Sequence, residues 1–107
     1  MTEQEIENEI QAKGLNLPRL SPELIEGMIV GEDYHLFPGT TTIVCRLELR
    51  NGFSVIGESA AVSPGNFDEE IGRKIAKNKA RGKIWVLEGY LLKQRLWDSM
   101  PKIVEAP

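Results

Sequence analysis

Arg73, Lys74, Lys77 and Arg81 recur at spacings of one to four residues, and Lys79 and Lys83 add charge beside them. On a helix, three- and four-residue spacing brings side chains onto one face, so these cations form a stripe. A stripe of this kind can hold a phosphate or an acidic protein surface. Just upstream, GESAAVSPGN at 57–66 is rich in small residues, whose backbone donors can approach an anion closely. Glu58, Ser59 and Asn66 can add hydrogen bonds to a base or ribose. Glu58, Ser59, Asn66, Arg73, Lys77 and Arg81 are therefore the candidate ligand-binding residues, and a compact nucleotide-like anion is the candidate ligand. The competing reading is that Arg73 and Lys77 pair with Glu69, Glu70 or the acidic N-terminal segment and stay solvated.

Residues for catalysis are sparse. The single histidine, His35, has no nucleophile or paired carboxylate near it in sequence, which favours a surface or packing role. Cys45 falls on the apolar side of an alternating segment, as a buried structural thiol does. No CxxC or HExxH occurs, so no metal site is expected. Gly57-Glu58-Ser59 lacks the spacing and the base of a nucleophile elbow, and the glycines form neither a P-loop nor a dinucleotide fingerprint. No catalytic residue and no cofactor is assigned, and an enzyme is not expected. Extended DNA is an improbable partner for a net-acidic chain with one basic stripe and no helix-turn-helix pattern.

The elements that must carry these residues can be read from pattern. Thr2-Glu3-Gln4-Glu5 is a capping box opening a helix with Ile6 and Ile10 one turn apart, and Gly14 is its stop. Two isoleucines anchor it loosely. Ser21-Pro22 starts a second short helix, with Leu20 and Ile25 at staple spacing and Gly31 as its end. GEDYHLFPGT at 31–40 reads as loop. Thr41–Arg50 alternates as a strand, with Ile43, Cys45, Leu47 and Leu49 on one side. Of two readings of the Asn51-Gly52 turn, a three-residue loop with left-handed Gly52 pairs Leu49 with Phe53, Leu47 with Val55 and Cys45 with Gly57. That register gathers the apolar residues on one face, as a half-buried hairpin requires, and is the expected one.

After the Ser63-Pro64-Gly65-Asn66 corner, with Asn66 as cap, one long helix runs through Trp97 unless Gly82 breaks it. It carries two apolar flanks: Phe67, Ile71, Ile75, Gly82, Trp85, Gly89 and Leu92 on one, Ala76, Ala80, Ile84, Leu87 and Leu91 on the other. A hairpin can cover one flank only. A homo-oligomer, a dimer or larger, would bury the other through Ile75, Gly82, Trp85, Gly89 and Leu92. Gly82 and Gly89 would let another backbone come close, or would merely accommodate the hairpin. The fold class is thus α+β: two short N-terminal helices, a β-hairpin and one long C-terminal helix. It forms a single domain over 1–107, with a loosely docked acidic helix over 1–20, a core over 21–97 and a flexible tail over 98–107.

At 107 residues the chain can bury a modest core. It contains no apolar run long enough to span a membrane, and no secretory signal is expected from MTEQEIENEI. A lone cysteine suits a reducing compartment. Residues 1–33 hold eight acids against Lys13 and Arg19, a net of −6, while the whole chain carries −3. The asymmetry fits an acidic front that covers the basic back, in one protomer or between two, and fits equally the ordinary charge of exposed helix faces.

Several pieces of Asn51–Leu92 act together as a signature: NGF at 51–53, GESA at 57–60, Ser-Pro-x-Asn-Phe-Asp at 63–68, EIG at 70–72, IA at 75–76, and IW with EGYLL at 84–92. In these the chain resembles a family of small tailed-phage proteins known by the gene product 49 and gene 66 members of two phages. The first twenty residues look particular to this member. The resemblance implies a phage or prophage gene expressed in the host bacterial cytoplasm, and carries no reaction and no catalytic set. Ala61 stands where a cysteine is often expected, which argues against an essential thiol or metal there. The expected function is that of a phage accessory protein acting by binding, in host takeover or counter-defence, by sequestering a nucleotide-like ligand in an oligomer. The alternatives are an inhibitor that binds a host protein and a minor structural or scaffold component of the particle.

Overall fold

A computed structural model describes residues 1–101; the last six residues of the expected tail lie outside the described part. The order is α1 (Glu3–Ala12), α2 (Pro22–Met28), β1 (Ile29–Leu36), β2 (Thr42–Leu49), β3 (Ser54–Ala60), a 3-10 turn at Pro64–Asn66, and α3 (Glu69–Ser99). The architecture is α+β, as the sequence indicates, with three strands in the order β1-β2-β3 and both neighbouring pairs antiparallel.

The caps read from sequence are present. Thr2 Oγ1 accepts from the Glu5 amide at 3.1 Å, and Ser21 Oγ from the Leu24 amide at 3.2 Å. The hairpin adopts the bulged turn. Leu49 donates to the Phe53 carbonyl at 2.8 Å, Gly52 has φ of 87°, and Leu47 faces Val55 while Cys45 faces Gly57. A positive φ costs glycine least, because there is no Cβ to clash.

Three expectations are corrected. Residues 31–40 are not all loop, because Ile29–Leu36 is a strand paired with β2 from Ile29↔Leu49 to Leu36↔Ile43. Glu32, Tyr34 and Leu36 alternate with Gly31, Asp33 and His35, but only two of the inward three are apolar. The pairing offered by β2 decides the conformation. For the same reason α2 stops at Met28 rather than at Gly31. Finally, the cap of α3 is Asp68, whose Oδ1 accepts from the Ile71 amide at 2.9 Å. Asn66 belongs to the 3-10 turn before it.

Ile43, Cys45, Leu47 and Leu49 of β2 and Val55 of β3 meet Ala76, Ala80 and Ile84 of α3, with Ile25 of α2 closing one side. Gly57 sets the approach: a Cβ there would lie 2.2 Å from the Ala76 carbonyl oxygen and 2.5 Å from the Ala80 nitrogen. Only a glycine lets the helix backbone settle on the strand. α3 continues through Gly82 without a break, and the molecule extends 62 Å along its longest axis.

Candidate functional site

The corner between β3 and α3 builds a hollow. Ser59, at the buried end of β3, donates to the Gly72 carbonyl of the first turn of α3 at 2.6 Å. Thr41 Oγ1 donates to the Ala61 carbonyl at 2.7 Å, which holds the outgoing chain against β2. The 3-10 turn then brings Asn66 and Phe67 back over the helix start. Between them lies a half-open hollow of about 200 Å³ whose lining includes Thr41, Ser59, Asn66 and Phe67, with Ile71 and Ile75 as apolar walls and Lys79 at the helix side. That is below the ~300–1,000 Å³ usual for a drug-sized ligand, so one protomer offers room for a base or a phosphate, not a whole nucleotide.

The basic stripe is largely occupied from within the chain. Arg81 receives Glu3 in a two-pronged contact at 2.8 and 3.0 Å, and its Nε lies 3.2 Å from Glu26 without the alignment of a hydrogen bond. Lys77 reaches Glu32 at 3.0 Å and Glu26 at 3.6 Å. Arg73 and Lys74 pair one turn back with Glu69 and Glu70, and the Arg73 guanidinium stands 5.0 Å above the Tyr34 ring. The acidic front therefore covers the basic back inside one protomer.

The titration behaviour follows the pairing. The hydrogen bond from Arg81 holds the Glu3 carboxyl below its ordinary range, and Glu3 raises Arg81 in return. Tyr34 and then Lys77 lower Glu32, while the Glu32 contact raises Lys77. Among the described residues Lys79 and Lys83 make no ion pair. Of the six cations in and beside the stripe, these two have no carboxylate partner.

Of the six candidate ligand residues, Ser59 and Asn66 line the hollow. Glu58 lies on the solvent side of the sheet, since β3 alternates and Gly57 and Ser59 face the helix. Arg73, Lys77 and Arg81 turn toward β1, α2 and α1, away from the corner. Sequence reasoning assigned no ligand role to Thr41, Phe67, Ile71 or Lys79. The signal for the last was available, because Phe67, Ile71, Ile75 and Lys79 follow one another at four-residue spacing.

The other chemically interesting side chains are accounted for by packing. His35 is exposed on the opposite edge strand with its ring edge-on to Phe37 at 4.5 Å. The Cys45 thiol is buried, and that burial pushes its pKa up, so it is not a thiolate at neutral pH. Among the described residues no cluster of three or more His, Cys, Asp or Glu could hold a metal ion, and no helix is long and apolar enough to cross a membrane.

The five residues expected at an oligomer interface separate into two groups. Ile75 and Gly82 are exposed, Ile75 at the edge of the corner hollow. Trp85 and Gly89 face the chain's own N-terminal segment: Trp85 shares a hollow with Glu3, Ile6 and Leu20, and Gly89 abuts Leu20. Leu92 is half-buried. That segment is held by charge as much as by apolar contact. Glu7 of α1, buried, takes both prongs of Arg19 at 2.5 and 2.7 Å and a 2.7 Å hydrogen bond from Gln11. The Arg19 and Gln11 bonds hold the Glu7 carboxyl down to about 2.

A sequence profile described as the Phage protein (N4 Gp49/phage Sf6 gene 66) family matches residues 20–96, from the end of the α1–α2 linker to the last turn of α3. Neither a curated protein nor a solved structure matches the chain.

Proposed function

The chain belongs to the N4 Gp49/phage Sf6 gene 66 family of phage proteins, and from that premise we propose that it is an accessory protein acting by binding in the host cytoplasm. It sequesters an anionic nucleotide-like ligand, as a step in host takeover or counter-defence, and does so as an assembly of copies. The observation that supports this reading is the corner hollow. Phe67 offers a ring face against which a base can stack, Asn66 a donor and an acceptor for its edge, and Lys79 an unpaired ammonium for a phosphate. The hollow takes only part of such a ligand, its base or its phosphate. Catalysis has no comparable support: the hydroxyls that line the hollow, Ser59 and Thr41, donate to the Gly72 and Ala61 carbonyls, and the Asp68 carboxylate there accepts from the Ile71 amide.

Thermal unfolding with cyclic and linear nucleotides, against sulfate and phosphate as controls, tests it. A sequestering protein gains about 2.7 kcal/mol when free ligand stands at a hundred times its dissociation constant. Lys79→Glu and Asn66→Ala should remove the shift while leaving the unliganded melting temperature in place. No shift with any nucleotide at millimolar concentration refutes the ligand class.

A further inference from the structure

A second apolar surface lies away from the corner, at the other end of α3. Past Ile84, the last buried residue of the helix, large side chains continue but the sheet does not. Val86 is 72% exposed, Tyr90 70%, Trp97 53%, Leu91 43% and Leu87 37%, and Phe53 at the hairpin tip, 56% exposed, adjoins them. Leu49, Phe53, Leu87 and Leu91 border a shallow hollow of about 510 Å³ between the hairpin and the helix.

We propose that the distal half of α3, from Lys83 to Asp98, together with Phe53, is the face on which a second copy of this chain docks, its own distal α3 running antiparallel. The proposal rests on the assembly part of the function above and is independent of the ligand.

Area is the first argument. At roughly 150–250 Å² for a large side chain, the six exposed fractions leave roughly 650 Å² of contiguous apolar surface. A typical monomer's largest patch is about 300–600 Å², and a standard interface takes about 800 Å² from each partner. With the stems of Lys83 and Gln94 at its rim, the surface reaches the size one side of a stable dimer requires.

Spacing favours a copy of the same chain over an unrelated protein. Lys83, Val86, Leu87, Tyr90, Leu91, Gln94, Trp97 and Asp98 recur at the three- and four-residue steps of a helix seam. A twofold axis between Tyr90 and Leu91 sets these two residues against each other at the centre. An apolar middle set against its own copy is what an isologous interface needs.

The test uses the full chain and two kinds of variant. Light scattering from about 1 to 200 µM (the range in which weak to moderate dimers form) should give the intact protein a mass at least twice that of the 12.0 kDa chain. Tyr90→Glu should reduce it to that of one chain, with helical circular dichroism unchanged, whereas Ile75→Glu at the corner should not. Because a charged variant can also perturb folding, Tyr90→Cys serves as the second measurement. It should form an intermolecular disulfide under mild oxidation, while Lys79→Cys does not, and Cys45 is buried and silent. A single-chain mass at every concentration overturns the proposal. So does a Tyr90→Glu protein that remains assembled, a Tyr90→Cys protein that fails to cross-link, or a distal face engaged by a bacterial protein while the chain alone is monomeric.

Discussion

The two halves of α3 obey one helical period yet meet opposite fates. From Glu69 to Ile84 the inward side chains are small, Ala76 and Ala80 ahead of Ile84, and all three are fully buried against the sheet. From Trp85 to Ser99 the same side carries Leu87 and Leu91, beside Val86, Tyr90 and Trp97, and none of these is buried. The strands explain the change. Eight residues of β2 span about 26 Å at 3.3 Å each, whereas 31 residues of helix span about 46 Å at 1.5 Å each. A helix decides its own length locally; what covers it is decided by its neighbours. The proximal half is folding surface, and the distal half carries apolar side chains that the sheet leaves uncovered.

Substitutions that break this contrast should differ in size accordingly. Gly57→Val has the largest effect, because the new side chain collides with the backbone of Ala76 and Ala80, which cannot rotate away. A loss of about 3 kcal/mol or more in urea unfolding is expected. Gly82→Ala, at an exposed helix position with open space beside it, should act in the opposite direction and stabilise by about 0.5–1 kcal/mol. Tyr90→Ser, measured below the concentration at which copies associate, should change stability by less than about 0.5 kcal/mol despite removing a large aromatic. A large loss there would show that the distal half packs within its own chain.

The most local effect concerns α1. The Glu7 carboxyl is depressed from 4.5 to about 2 in the folded chain, so its contribution is complete above the ordinary carboxylate range. It is lost as pH falls from about 4.5 through about 2. Amide exchange in residues 3–12 should accelerate across that window, and Glu7→Gln should show the faster exchange already at pH 7. Protection in β2 should be unaffected at pH 7 by that substitution.

How legible each part was follows from how local its cause is. The caps at Thr2 and Ser21 and the bulged turn at Gly52 are written within a few residues, and all three stand as read. Whether Gly82 breaks α3 was open in the sequence; the helix is continuous there, with strong helix formers on both sides of that glycine. β1 was not legible, because Tyr34 and Leu36 give too faint an alternation without β2 beside them. Asp68 replaced Asn66 as cap because Ser63-Pro64 nucleate a 3-10 turn that delays the helix by two residues.

The candidate site was read in part for the same reason. Ser59 and Asn66 sit where a sequence-local corner puts them. The fate of Lys77 and Arg81 depended on Glu3, Glu26 and Glu32, which are distant in sequence and reach them only through the packing of α1, α2 and β1. Their stripe was visible; its neutralisation was not. Trp85 and Gly89, expected at an assembly surface, instead have Leu20 and α1 beside them, a packing that the two isoleucines undersold.

The separate roles of the two halves can be measured directly by residue-resolved hydrogen exchange on the intact protein at low and high concentration. Protection around Ala76, Ala80 and Ile84 should be high and independent of concentration, while protection from Val86 to Trp97 should rise as copies associate. Equal behaviour of both halves at every concentration would contradict the account.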